Sequence, residues 1–207
     1  MNEIWAIILA AGESSRMKEP KMIMPFGEGT IIEKVLENIA GSYVKSTLIV
    51  LGAWKNEILQ VLGSRPVLTC VNENYKMGML SSVQCGIRNI PGTADGILVY
   101  PGDQPLVTGE TINVLIDAFR KRGKGIVIPV FMKRRGHPVL LSSSYRNEIL
   151  QLGPKNSLRD IMENHPSEIE EVEISSSSVI TDIDTPDDYR REINQFERYG
   201  RDDSVQT

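Results

Sequence analysis

The sequence predicts an α/β fold, a three-layer α/β/α arrangement around a mostly parallel, Rossmann-like sheet with a small antiparallel portion. Three observations predict it. Short apolar, β-prone runs recur along the chain with helical patterns between them, the rhythm of βαβ units. Several of these runs are continuously apolar rather than alternating, as expected of strands covered on both faces. The rhythm then changes after Val130, where a turn leads into a short apolar run suited to an antiparallel strand.

Taken in order, Ile4–Ala10 is the first strand. Thr30-Ile-Ile-Glu33 carries a capping-box signature, and Ile31, Ile32, Val35, Leu36 and Ile39 follow on one helical face. Further strands are expected over Ser46–Leu51, Pro66–Val71, Gly96–Tyr100 and Gly125–Val130, with a helix ending near Arg88 before the third of these. Thr108 can cap a helix whose Ile112, Leu115, Ile116 and Phe119 fall at i, i+3, i+4 and i+7. Arg134-Arg-Gly-His-Pro138 reads as a turn into the antiparallel strand Val139–Leu141. A helix starts near Ser157, a strand covers Ile169–Ile174, and Pro186 opens a last helix to about Arg198. Residues 1–198 are expected to form one domain, and residues 199–207 a frayed tail.

Composition narrows the function classes. Hydrophobic residues make up 41% of the 207 and charged residues 24%, so a full core is expected and disorder is not. A net charge of −4 argues against wrapping bulk nucleic acid by counterion release, while leaving room for a basic pocket around one phosphorylated ligand. The apolar run Ile4 to Ala11 is far too short to span a bilayer, and no signal peptide precedes it. Cys70 and Cys85 lack metal-ligand spacing and suggest no disulfide framework, and two histidines, His137 and His165, leave little for a zinc site. The expectation is a soluble cytoplasmic protein with no nucleic-acid or membrane partner.

Ligands of open α/β sheets bind beyond the carboxyl ends of the strands, which points to the loop after Ile4–Ala10. Ala10, Ala11 and Gly12 let the backbone approach a base or phosphate closely, and Ser14 and Ser15 add hydroxyl donors. Arg16 offers a planar fork of donors, and Lys21 a compact mobile charge. The loop is neither a P-loop nor the dinucleotide fingerprint, whose spaced glycines are absent. Leu9-Ala-Ala-Gly-Glu-Ser-Ser-Arg-Met17, with Lys21, resembles the signature of nucleotidyltransferases that activate small phosphorylated compounds with a nucleoside triphosphate. Within that superfamily it is most similar to the molybdenum cofactor nucleotidyltransferases. The resemblance implies the nucleotide-diphospho-sugar transferase-like form of the fold. It also implies that Arg16 and Lys21 hold the triphosphate, with Leu9, Ala10, Ala11, Gly12, Ser14 and Ser15 lining the nucleotide site. Lys18 follows Arg16-Met17 where that family carries Gly.

Two aspartates stand apart from this loop. Pro101-Gly-Asp-Gln-Pro105 fixes Asp103 in a rigid turn at a strand end. Thr181-Asp-Ile-Asp-Thr-Pro-Asp-Asp188 supplies four carboxylates before the last helix. Asp187 and Asp188 read as helix N-terminal charges behind Thr185 as N-cap and Pro186, and Asp182 as a turn residue. Mg²⁺ takes one or two carboxylates together with substrate phosphates. Asp103 and Asp184 can supply that pair, and the family's metal-binding aspartates match these two positions.

Asn72-Glu-Asn-Tyr-Lys-Met-Gly-Met-Leu-Ser-Ser82 reads on its own as a βα loop with serine capping. It is similar to the family's Asn…Gly-Met-Ser-Ser-Ser segment, which makes Asn72, Gly78 and Ser82 candidate nucleotide contacts. Gly136-His-Pro138 is similar to the Gly-His-Pro turn of the cytidylyl-type members and places His137 as a candidate contact to the acceptor. The resemblance, running from Ile4 to about Tyr189, implies a Mg²⁺-dependent transfer of CMP from CTP to the phosphate of a molybdopterin-type cofactor, releasing pyrophosphate. Asp103, Lys21 and Arg16 are the candidate catalytic residues. Ala11, where guanylyl-type relatives carry a second Gly, leans toward the pyrimidine. The alternatives are a guanylyltransferase or sugar- or alditol-phosphate nucleotidyltransferase on the same scaffold, a glycosyltransferase-like protein, and a non-catalytic chaperone serving a molybdenum hydroxylase client.

Overall fold

A computed structural model describes residues 3–202. The elements follow in chain order: β1 (Ile4–Ala10), β2 (Pro25–Phe26), β3 (Gly29–Thr30), α1 (Ile31–Ala40), β4 (Ser46–Leu51), α2 (Lys55–Leu62), β5 (Leu68–Val71), α3 (Met79–Asn89), β6 (Gly96–Pro101) and α4 (Gly109–Arg122). Then come β7 (Ile126–Phe131), β8 (Arg134–Arg135), β9 (Val139–Ser142), α5 (Arg146–Gln151), α6 (Leu158–Asn164), β10 (Ile169–Glu173) and α7 (Pro186–Asp202). The main sheet runs β10-β7-β9-β6-β1-β4-β5, with β8 paired to β7 and a separate β2–β3 hairpin. All pairings along the main path are parallel except those of β9, which lies antiparallel between β6 and β7.

The central strand β1 shows why its sequence is apolar at every position. Ile4, Ala6, Ile8 and Ala10 enter one core with residues of α1, α2 and α4, and α7 packs against its edge. Trp5, Ile7 and Leu9 enter the other core with residues of α3, α5 and α6. Side chains of a strand alternate between faces, so a strand sandwiched between two helical layers needs apolar residues throughout. This is the three-layer architecture the sequence predicts.

The helix starts follow their caps. Thr30 and Glu33 form a reciprocal capping box at α1, Ser157 and Asp160 do the same at α6, and the Thr108 side chain accepts from the Thr111 amide at α4. Some boundaries differ from the sequence expectation. The strand expected from Pro66 begins at Leu68, because Pro66 has no N–H to give a ladder. Helices α2 and α5 were not foreseen: neither has a side-chain cap, and each buries only one or two residues. The last helix continues through Asp202, past the expected end at Arg198. Of the expected tail, residues 203–207 lie outside the described residues. No helix among the described residues is long and apolar enough to cross a membrane.

Register places the strand ends together. Leu9 of β1 pairs with Pro101 of β6, and Ala10 with Leu51 of β4. The loops after β1, β4 and β6 therefore leave the sheet at one level. Helix α3 lies close against the sheet because Gly86 has no side chain; a Cβ there would stand 2.5 Å from Ile7 Cγ2 and 3.1 Å from Val50 Cγ2. Gly86→Ala is expected to lose about 1–3 kcal/mol of stability through overpacking. Urea unfolding reads this directly, and an unchanged midpoint would show that α3 does not rest on β1.

Candidate active site

The site is built around one ammonium group. Lys21 follows Pro20 at the end of the first loop and is only 9% exposed. Its Nζ donates to Asp103 Oδ2 at 2.5 Å, to Asp184 Oδ1 at 3.0 Å and to the Ile183 carbonyl at 3.0 Å. The rigid turn after β6 places Asp103, and Tyr100 braces that turn from within, its buried hydroxyl donating to the carbonyls of Gln104 (2.9 Å) and Val107 (3.2 Å). The Asp184 segment is clamped to it by main chain, since the Ile183 amide donates to the Asp103 carbonyl at 3.1 Å. Arg16 reaches the same carboxylate from the solvent side, with Nη1 3.0 Å from Asp184 Oδ2. Four candidates separated by up to 168 positions in the sequence thus form one cluster.

Carboxylates outnumber the cations here. Burial opposes the charge on Lys21, but Asp103 and Asp184 outweigh it and hold its pKa above the usual lysine value. Burial pushes the Asp103 carboxyl up; Lys21 opposes that shift, and repulsion from Asp182 and Asp184 adds to it. Asp103 and Asp184 share the Lys21 ammonium, and Asp182 adds a third carboxylate beside them. Asp182, expected as a turn residue, also accepts from Gln104 Nε2 at 2.6 Å. Asp103 and Asp184 bring hard oxygen donors from separate loops to within 3.0 Å of one cationic centre. That donor set and its negative excess suit a divalent cation of the Mg²⁺ type, with further ligands from substrate phosphates. Among the described residues no group of three or more His, Cys, Asp or Glu is arranged to hold a metal alone.

The first loop is a tight turn with its basic tip exposed. The Ser14 carbonyl accepts from the Met17 and Lys18 amides, and Ser14 Oγ accepts from the Lys21 amide at 3.3 Å. Ser14 therefore shapes the loop, while Gly12, Ser15 and Arg16 face solvent. Lys18 has φ of +60°, a left-handed conformation that glycine adopts without strain. Leu9 and Ala10 lie beneath the loop, and their side chains belong to the two cores. The Leu9 carbonyl accepts from the Gly102 amide. Ala11 is also buried, and its carbonyl accepts from the Ala53 amide.

The Asn72–Ser82 segment is likewise bonded internally. Asn72 Nδ2 donates to Ser81 Oγ at 2.9 Å and Ser82 Oγ at 3.0 Å, and its Oδ1 accepts from the Asn74 amide. Asn72 and Ser82 are each 5% exposed, so they hold the loop's shape rather than offering free donors. Gly78 is exposed at the start of α3. Lys76 ties this loop to the first one through Glu13 at 3.4 Å.

His137 lies in the same neighbourhood. Its amide donates to the Val179 carbonyl at 2.7 Å. Burial lowers the imidazole pKa, while Asp182 and Asp103 pull it back up. Asp187 and Asp188 are structural as expected, Asp188 Oδ2 accepting from the Thr185 amide and hydroxyl and each aspartate pairing with an arginine.

Two parts of the site were not foreseen. Trp54 Nε1 donates to the Glu13 carbonyl at 3.0 Å and moors the first loop. Gly52 allows the β4 loop to touch it, since a Cβ there would be 2.4 Å from the Ala11 carbonyl oxygen. A glycine directly after a buried strand was the available signal. A cavity of about 880 Å³ lies away from this cluster, lined by α1, the β2–β3 hairpin and the segments leading into β4 and β5. None of the candidate residues lines it.

Comparison with known proteins gives this sheet and its strand-end loops their class, that of a nucleotidyltransferase. Residues 6–169 match the MobA-like NTP transferase domain, and the chain belongs to that family. It is 32% identical over 206 residues to the molybdenum cofactor cytidylyltransferase of Escherichia coli (strain K12), covering 96% of this chain and 98% of that one. A nucleotidyl transferase from Methanothermobacter superposes with a TM-score of 0.84 at 25% identity, covering 96% of this chain and all of that one. The Rv0371c protein of Mycobacterium tuberculosis in complex with manganese has the same fold, with a TM-score of 0.79 at 23% identity over 93% of this chain and 99% of that one.

The lowered pKa of His137 has a stability consequence. The folded state resists protonation that the unfolded chain accepts near pH 6.5, so stability is present above that pH and falls as pH drops below it. Between pH 7 and pH 5, wild type is expected to lose more stability than His137→Gln. Urea midpoints at the two pH values test this, and equal losses would remove His137 from the buried neighbourhood.

Proposed function

We propose that the protein transfers CMP from CTP to the phosphate of a molybdopterin-type cofactor, releasing pyrophosphate, with Mg²⁺ held by Asp103 and Asp184. The convergence of Lys21, Asp103 and Asp184 on one point carries this reading. The E. coli relative supports the choice of nucleotide and acceptor.

The chain's own residues account for most of what the reaction needs. Arg16 and Lys21 meet the triphosphate and neutralise the departing pyrophosphate. Lys21 must leave the carboxylates to do so, and an incoming polyphosphate supplies the competing charge. Asp103 and Asp184, freed of the ammonium, are then the ligands for the cation. A divalent cation held there would supply positive charge to offset that of the phosphates. The acceptor phosphate is already an anion, so attack at the α-phosphorus requires no strong general base. His137 contacts the acceptor as a neutral imidazole.

The test offers CTP, GTP, ATP and UTP separately to the protein with Mg²⁺ and molybdenum cofactor, identifying the product by mass and following pyrophosphate. Cytosine dinucleotide from CTP is expected. Product from GTP alone would keep the chemistry and discard the choice of base. No product from any nucleotide would favour a sugar or alditol phosphate acceptor, or a chaperone for a molybdenum hydroxylase. Lys21→Ala and Asp103→Ala are each expected to lose on the order of 10²-fold or more in turnover. Full activity in folded Asp103→Ala would remove the metal assignment.

A further inference from the structure

Cys70 and Cys85 have no part in the chemistry above, yet the fold brings them together. Cys70 lies on β5, the edge strand of the sheet, and Cys85 lies on α3. Their sulfurs are 3.6 Å apart, and Cys85 Sγ also stands 3.6 Å from the Val71 carbonyl. Both thiols are half-buried and free, so small reagents reach them. The segment between them contains the whole Asn72–Ser82 loop. Asn72 is two positions from Cys70, and Ser82 is one helical turn before Cys85.

We propose that Cys70 and Cys85 are a redox-active dithiol, closed to an intramolecular disulfide by a peroxide, which fastens the base of the Asn72–Ser82 loop. Two thiols alone do not make a closed metal site, which ordinarily takes four ligands. No third ligand joins them among the described residues. A disulfide needs the sulfurs roughly 2.05 Å apart, about 1.5 Å closer than they stand.

The chemistry balances with hydrogen peroxide as oxidant. Burial first, and the neighbouring Cys85 second, push the Cys70 thiol up to about 12, so Cys70 keeps its proton. A thiolate of the pair, with Cys85 the partner that attacks, displaces hydroxide from the peroxide and becomes a sulfenic acid. Cys70 sulfur then attacks the sulfenic sulfur, giving up its proton and expelling the second oxygen as water. Two electrons pass from the two thiols to one peroxide, which becomes two waters. A dithiol reductant reverses the bond by exchange.

Closing the sulfurs draws the first turns of α3 against β5 and fixes the Asn72–Ser82 loop in a shifted position, straining the Asn72–Ser82 hydrogen bond. Nucleotide affinity of the oxidised protein is therefore expected to fall about fivefold, the equivalent of one neutral hydrogen bond. This coupling rests on the proposed nucleotide site, whereas the disulfide itself does not.

The experiment treats the purified full chain with hydrogen peroxide and reads intact mass, free thiols under denaturing conditions, Tm and CTP binding. A loss of two mass units, no remaining thiol and a Cys70–Cys85 linked peptide are expected. Tm should rise by roughly 5–10 °C, because a short loop is closed in the unfolded chain, and dithiothreitol should reverse every change. Cys70→Ser and Cys85→Ser should each lack the intramolecular product. Gain of oxygen on either sulfur without a crosslink, or two thiols still free in wild type, overturns the proposal. A disulfide that leaves CTP affinity unchanged overturns the coupling to the loop. If the reduced protein binds no nucleotide, the nucleotide reading fails, while mass and Tm still decide the dithiol.

Discussion

The three loops of this site hold together through a single buried amine. Lys21 Nζ bonds to segments from the middle and the end of the chain, and its own loop leaves the central strand of the sheet. Removing a charge from water costs several kcal/mol unless partners compensate it. The structure meets that cost with two carboxylates and a carbonyl, and those partners then cannot separate without leaving a charge unpaired. Geometry that chemistry needs is thereby imposed by electrostatics that folding needs. The same amine also offsets the repulsion between Asp103 and Asp184.

Rigidity behind the site comes from packing. Strand β1 is buried on both faces, and its neighbours β4 and β6 are held in parallel register with it. The loops rise from that platform and from β5 beside it, and internal hydrogen bonds set the rest: Ser14 shapes the loop after β1, Asn72 the one after β5 and Tyr100 the one after β6. Each of these polar groups contacts its own loop, so the groups left facing solvent are the ones free to meet a ligand. Arg16 is the clearest of them, its side chain 69% exposed while one end already touches Asp184.

Much of this was legible in the sequence because the signals were local. An unbroken apolar run marks β1, Thr30 with Glu33 marks the start of α1, and the Pro-Gly-Asp-Gln-Pro turn marks Asp103. Arg16, Lys21, Asp103 and Asp184 were found as residue types in suitable loops, and the fold brings them together. What sequence could not provide was direction. Asn72 and Ser82 have the chemistry of ligand contacts but turn inward, and Leu9 faces a core. Direction depends on which neighbour is nearer, and that neighbour is set by tertiary packing. The Cys70–Cys85 contact was invisible for the same reason, because a strand and a helix 15 positions apart can face each other or not.

The antiparallel insertion of β9 divides the chain in time as well as space. Strands β6, β1, β4 and β5 are contiguous in the sheet and complete by residue 101, before any of β7 to β10 is made. During synthesis this four-strand sheet can assemble while the rest of the chain is still emerging, since early segments fold first. It already contains Lys21, and Asp103 follows two residues later. Its β6 edge stays open until β9 arrives. Asp184, near the far end of the chain, comes last. Until then the ammonium has only one carboxylate, and the nascent protein owns half of its cation site.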